Sequence, residues 1–388
     1  TKKVFIISLI LFSLGSLLCS LSPNLTVLVV SRVIQGIGGS LMTPVGKLAL
    51  IKTFDKSELL KAMNFAIIPA LIGPVLGPLI GGYMVDYLSW HWIFLINLPI
   101  GILGIVLSVK YMPNYFSKII DFDFKGFLFF AAASLLLSIS LEWMGNAKNI
   151  TPVLLVFLMG FIFIYLYYRH AKKEENPIFP LELFMVRTFR VGFLGNLATR
   201  LGISSIPLLI PLMIQIAYGQ SAVVSGWIVA PMAITAMFGK SAVIKILNRF
   251  GYRKTLMFNT FLIGTLICLM AIPGINTSIY WFIPLILVLG FFNSIQFTSM
   301  NTISISDLRD SHTSSGNSLI SVNQQIAIGF GIAFGLIVLK LFEGDTQLIK
   351  GNIHNAFRYT FLVMGILTIL SGFVFRRLHF RDGDNMKS

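Results

Sequence analysis

Charge is what this sequence has least of. Of its 388 residues 12% are Asp, Glu, Lys or Arg, against 56% hydrophobic, whereas soluble globular chains carry roughly twice that charged share. Water-soluble domains are therefore excluded, and a mean hydropathy of +0.84 makes the lipid bilayer the expected solvent. Cysteine is nearly absent: Cys19 and Cys268 each lie inside an apolar run, which excludes a disulfide framework and a thiolate metal site. No Gly-x-x-x-x-Gly-Lys-Ser/Thr run occurs, so ATP hydrolysis by this chain is excluded as well. The five histidines (His91, His170, His312, His354, His379) fall in loops or the tail without metal-ligand spacing. No enzyme chemistry, cofactor or metal is expected.

Carboxylates are missing from one particular place. None of the fifteen lies at the centre of an apolar run, and Asp86 and Glu142 lie at run ends. A proton-coupled mechanism needs a titratable group perturbed by burial, and this sequence offers no candidate.

What is present is apolar length. A helix needs about 20 apolar residues to cross a bilayer, and twelve such runs occur, near 4–21, 25–48, 62–84, 92–110, 124–142, 152–168, 193–216, 224–244, 255–273, 279–299, 315–340 and 357–375. Membrane barrels are built from alternating strands about half that length, so the fold class is an all-α polytopic membrane protein. The net charge of +15 belongs to its topology. With the N-terminus cytoplasmic, 22 of the 30 Lys and Arg residues fall in cytoplasmic loops and termini, 4 in the opposite loops and 4 within runs. That is the positive-inside bias; it places both ends in the cytoplasm, and it gives the basic charge a role at lipid headgroups rather than on nucleic acid.

An internal repeat organises the runs. Leu14-Gly-Ser-Leu-Leu-Cys19 and Ile263-Gly-Thr-Leu-Ile-Cys268 match at an offset of 249 residues, each after a basic flank, Thr1-Lys-Lys-Val and Asn248-Arg-Phe-Gly-Tyr-Arg-Lys-Thr255. The first and ninth runs then correspond, as the third helices of two six-helix halves. Twelve spans of an inferred fourteen are expected, in a 4+2+6 arrangement: a first half over 1–115, an inserted pair with its linker over 116–190, a second half over 191–376 and a polar, unstructured tail over 377–388. The linker from Arg169 to Arg190 reads as a short amphipathic segment on the cytoplasmic surface.

Gly73-Pro-Val-Leu-Gly-Pro-Leu-Ile-Gly-Gly82 sets glycines at i, i+4 and i+8 with Pro74 and Pro78 between them. Such a face admits a neighbouring backbone, either as ordinary tight packing or as a hinge seam. This run resembles the antiporter motif of the major facilitator superfamily. Ser31-Arg-Val-Ile-Gln-Gly-Ile-Gly-Gly39 resembles that family's Arg-and-glycine motif, and Ser89-Trp-His-Trp-Ile-Phe-Leu-Ile-Asn-Leu-Pro-Ile-Gly101 is similar to the Trp-rich stretch of its fourteen-helix drug:proton antiporters. The Asn248 to Thr255 loop resembles a second copy of the family's cytoplasmic loop motif, with Asn248 where an acidic residue is usual. The resemblance covers the whole chain. It implies a secondary transporter of the cytoplasmic or inner membrane, exporting a hydrophobic or amphipathic small molecule in exchange for protons. Thr1 falls just after the position of the first loop motif, so the family's first two helices, with the aspartate motif thought to take part in proton coupling, are not in view. An exporter of one specific metabolite, or a truncated membrane partner that no longer transports, stand as alternatives.

Ionisable groups inside spans cost about 2.5–3.5 kcal/mol on insertion scales and ask for a reason. Arg32, by the resemblance, transfers protons or ties helices; otherwise it snorkels. Arg200 either faces a cavity, attracting anionic groups or pairing with a carboxylate, or anchors at the interface. Lys240 joins Arg32 and Arg200 as a transport or coupling candidate, although it reads more readily as snorkelling, and Lys47 reads as an interface residue. Asn293, Gln296 and Asn301, with Asn317, Ser321 and Gln324 at i, i+4 and i+7, form polar stripes that either line a wet substrate cavity or join helices. Asn64, Asn196 and Gln215 join that list of cavity candidates.

Overall fold

The computed structural model describes residues 1–54, 73, 76–116, 122–144, 151–344 and 352–384. They are mostly helical, with ten stretches long and apolar enough to cross a bilayer. The helices are α1 (Lys2–Ser20), α2 (Leu25–Thr53), α3 (76–87), α4 (Asn97–Tyr111), α5 (Phe124–Met144), α6 (Thr151–Ala171), α7 (Arg187–Ile203), α8 (Ile206–Leu212), α9 (Ala222–Val229), α10 (Pro231–Leu269), α11 (Phe282–Ile305), α12 (Asp310–Gly344) and α13 (Ile353–Ser371). Of the twelve expected runs, the third falls mostly outside the described residues. The eighth and ninth are joined in one long helical stretch, which breaks at Gly251 with φ 72° and ψ 166°. Only glycine adopts that conformation without strain, and it lies in the basic loop between the two runs. The seventh run bends around Pro207 and Pro211 and ends in a π-helical turn, Met213–Ala217.

Large apolar side chains face outward on the spans: Val29, Val30 and Val33 on α2 and Phe161 on α6 are all exposed. In lipid this costs nothing, and helices are held instead by close packing and polar bonds.

Two compact units are present. The first comprises Thr1–Ile120 with Ser221–Ala230. In it α1 packs on α2 and α4. A Cβ on Gly15 would lie 2.6 Å from Gln35 Cα, and one on Gly38 2.6 Å from the Ser8 carbonyl oxygen, so these backbones touch because the side chains are absent. The Asp86 carboxylate accepts from the Val223 N–H at 2.8 Å and the Ala222 N–H at 3.3 Å, capping α9.

The second unit comprises Asp121–Gln220 with Pro231–Ser388. Here α10 packs on α11 and α13, α7 on α12 and α13, and the pair α5 and α6 leans on α12. The linker buries its apolar side chains: Phe179, Leu183 and Phe189 are buried together with Tyr167, Leu319 and Ile320. The Tyr167 hydroxyl donates to the Phe179 carbonyl and accepts from the Phe179 N–H, both at 2.9 Å. One expectation is corrected: the described part of the tail is folded. Phe375 and Leu378 are buried, Arg187 donates to Asp382 at 2.5 Å, and Asp382 accepts from the His379 N–H at 2.7 Å. Gly383, at φ 79°, lies against Tyr252. Polar composition concealed this, because the partners that anchor the tail are distant in sequence.

Candidate functional site

Among the described residues each unit carries a polar centre built around an arginine inside its spans. In the first, Arg32 Nη1 donates to Gln35 Oε1 at 2.7 Å, one turn along α2. Gln35 Nε2 passes the chain to Ser16 Oγ on α1 at 2.9 Å, and Asn97 Nδ2 of α4 donates to the same oxygen at 3.0 Å. Ser16 in turn donates to the Phe94 carbonyl at 3.0 Å. The Arg32 guanidinium lies 5.7 Å from the centre of the Phe94 ring, while Gln35 is fully buried. The chain therefore binds α1, α2 and the start of α4, and ends on a backbone acceptor.

In the second unit Arg200 is 9% exposed. Its Nε donates to Asn196 Oδ1 at 2.7 Å, one turn earlier on α7, and its guanidinium stands 5.0 Å from the centre of the Phe297 ring. Asn196 is 1% exposed, and its Nδ2 has no acceptor among the described residues. Arg200 lines a narrow cleft with Thr199, Thr260, Asn293, Gln296 and Met300. On the far wall Asn259 Nδ2 donates to Gln296 Oε1 and to the Phe292 carbonyl, both at 2.8 Å, and Gln296 Nε2 donates to Thr260 Oγ1 at 2.7 Å.

The remaining sequence candidates scatter. Gln296 is buried with its amide engaged between α10 and α11, and Gln324 donates to Asn301, joining α12 to α11. Both hold helices together. Asn317 and Ser321 are exposed, and the Ser321 hydroxyl donates to the Asn317 carbonyl of its own helix at 2.9 Å. Lys240 and Gln215 are exposed. Asn64 and Pro74 lie outside the described residues, as does the Lys47 side chain. Among the described residues nothing stands within 4 Å of a Cβ built on Gly73, Gly77 or Gly81. The close approach falls at the next positions: a Cβ on Gly82 would lie 2.6 Å from the Ala222 carbonyl oxygen, and one on Gly226 3.0 Å from the Pro78 carbonyl carbon.

The sequence reading passed over Asn259 and Thr260. It also passed over Asn323, whose Nδ2 donates to the Phe193 carbonyl at 2.9 Å. The available signal was a polar side chain inside an otherwise apolar helix.

The histidine reading is corrected for three positions: His170 ends α6, His312 lies in α12 and His354 opens α13, where it is buried. Helices continue past the apolar runs that mark the hydrocarbon core. His170 brings Nε2 to 2.6 Å from Asp123 Oδ1, and Glu174 stands 3.9 Å from the same nitrogen. These three could offer ligand atoms within 4.8 Å of one another. Asp123, however, is already engaged by the Gly126 N–H at 2.8 Å, the Ile178 N–H at 3.3 Å and His170. Burial by itself would push the Asp123 carboxyl up, but these hydrogen bonds and the imidazole hold it below its usual value.

Bilayer-length helices packed through glycine contacts, with polar centres inside the spans, define a multi-pass membrane transporter. The chain belongs to the Major Facilitator Superfamily, whose model matches residues 1–332 and, in a second alignment, 192–387. It is 39% identical to "Probable transport protein HsrA" of Haemophilus influenzae over all of this chain and 84% of that protein. It is also 39% identical to "Putative multidrug resistance protein MdtD" of Pectobacterium atrosepticum, over 97% of this chain and 81% of that protein. Among solved structures, an auto-inhibited POT family peptide transporter superposes with a TM-score of 0.67 at 12% identity, covering 98% of this chain and 83% of that one; at that identity the fold alone is shared.

Proposed function

We propose that this transporter exports hydrophobic or amphipathic compounds in exchange for protons, working by rocking of a first half over 1–115 against a second over 191–376. The observation that carries the reading is the Arg200, Asn196 and Phe297 group, a polar headgroup site set against an aromatic face inside the membrane. Directional groups set beside an aromatic ring are what a binding site for an amphipathic solute requires. The relatives named multidrug resistance proteins support the same class of cargo. In this reading the protein resides in the cell membrane with both ends of the chain in the cytoplasm, following the distribution of Lys and Arg.

The test is proton release from everted vesicles containing the protein, followed with a pH-sensitive dye while a panel of amphipathic cations, neutrals and anions is added. Compound-dependent release that vanishes with an uncoupler is expected. Uptake of compounds without any proton movement would sink the coupling, and no response to any compound would sink the reading.

A further inference from the structure

Arg200 is a buried cation with no anion beside it among the described residues. The described ion pairs involve His170, Arg187 and His312, and none reaches Arg200. Asn196 holds the guanidinium by its Nε alone, so the two Nη nitrogens have no acceptor among the described residues. The Asn196 Nδ2, on the amide whose oxygen takes the Nε bond, is a buried donor that also has no acceptor among the described residues. A charge this far from water is retained when something pairs with it for part of the time, and intramembrane arginines commonly serve as counter-ions to ligands. The free edge of the guanidinium is a planar fork of two N–H groups that matches a carboxylate bidentately.

We propose that Arg200, Asn196 and Phe297 form the headgroup site for an amphipathic anion, a compound with a carboxylate on an aromatic or aliphatic body. The carboxylate accepts from the Nη atoms of Arg200 and from Asn196 Nδ2, and the apolar body lies along the Phe297 ring. The inference rests on the export reading and narrows it: a hydrophobic cation is repelled by Arg200, and a neutral solute leaves the fork unmatched. The polar groups of the opposite wall do not compete, since Gln296 and Asn259 are bonded to each other.

The probes are 2-naphthoate, its neutral amide and (2-naphthyl)methylammonium, which share one ring system and differ in charge. Binding to the purified full chain in maltoside micelles is measured by titration calorimetry. Naphthoate is expected to bind at least tenfold more tightly than either of the others. Arg200→Gln should bring the three within about twofold, with Arg200→Lys intermediate. Asn196→Asp is the second variant: it supplies a carboxylate beside the guanidinium, keeps the helix intact, and should abolish the preference for naphthoate while raising the melting temperature. Equal or tighter binding of the ammonium overturns the inference and leaves the export reading standing. Unchanged naphthoate affinity in both Arg200→Gln and Asn196→Asp, or no binding of any probe, overturns the inference too; the vesicle assay then decides the export reading separately.

Discussion

Arg32 in the first unit and Arg200 in the second are both cations within apolar spans, yet their surroundings divide them. Arg32 hands its hydrogen bond to Gln35, which hands it to Ser16, where Asn97 converges and the Phe94 carbonyl ends the chain. Each residue named there makes at least one hydrogen bond, the network spans three helices, and Arg32 itself is exposed. Arg200 is the more deeply buried, and its network stops at Asn196 on the same helix. A closed chain fixes helices; an interrupted one leaves directional capacity for something else. The same side chain at similar insertion cost therefore reads as structural in one unit and as ligand-directed in the other.

The hardest blow to this comparison falls on the packing that underlies both networks. The repeat copies place Gly15 and Gly264 at equivalent positions, but Gly15 presses on α2 at Gln35, whereas a Cβ on Gly264 would lie 2.7 Å from the Gly365 carbonyl oxygen of α13. Neither site can accept a side chain without moving a backbone, so Gly15→Leu and Gly264→Leu should each cost about 3 kcal/mol. The loss is read as a fall in melting temperature and in monodisperse yield in detergent. Gly15→Leu should also separate Gln35 from Ser16 and disable the Arg32 chain. Gly264→Leu should lower stability while leaving that chain intact. Equal tolerance of both would mean that helix spacing does not set the networks.

A smaller effect separates the two glutamines. Gln35→Ala takes one bond each from Arg32 and Ser16, and Gln296→Ala takes one each from Asn259 and Thr260, which keep their bonds to the Phe292 and Leu256 carbonyls. Buried unsatisfied polar groups cost about 1–3 kcal/mol, although single interhelical bonds in membranes average about 0.6 kcal/mol. About 2 kcal/mol is expected for Gln35→Ala and about 1 kcal/mol for Gln296→Ala, measured by denaturation in mixed micelles. The reverse order would show that the charged member adds nothing to the first network.

How much of this was legible beforehand depends on range. Apolar runs of bilayer length declare their helices without help from elsewhere, and the break between the eighth and ninth runs was marked by Gly251 in a basic loop. Arg200 and Asn196, one turn apart on one helix, were both singled out. What could not be read was partnership at distance. Gln296 and Asn317 look alike in sequence, but one faces Asn259 on α10 and the other is exposed. The tail looked unstructured because Asp382 finds Arg187 195 residues away, and the linker's own composition does not show its anchors, Tyr167 on α6 and Asp123 just before α5.

That linker supplies the mildest test, a polar centre outside the spans to set against the two within them. Asp123 is nearly buried, and its carboxyl is held below the usual value of 3.8. A carboxylate with a depressed folded-state pKa contributes stability at pH above its unfolded value, and the contribution is lost as pH falls through the folded one. The melting temperature should therefore be flat from neutral pH to about pH 5 and drop below pH 4, by an amount equivalent to about 1 kcal/mol. Asp123→Asn should lose that drop and start from a lower plateau, since a neutral amide cannot accept from the Gly126 and Ile178 N–H groups and His170 as a carboxylate does. A transition above pH 5 that persists in Asp123→Asn would mean that another group governs the linker. A drop of unchanged size in the variant would mean that Asp123 does not anchor it.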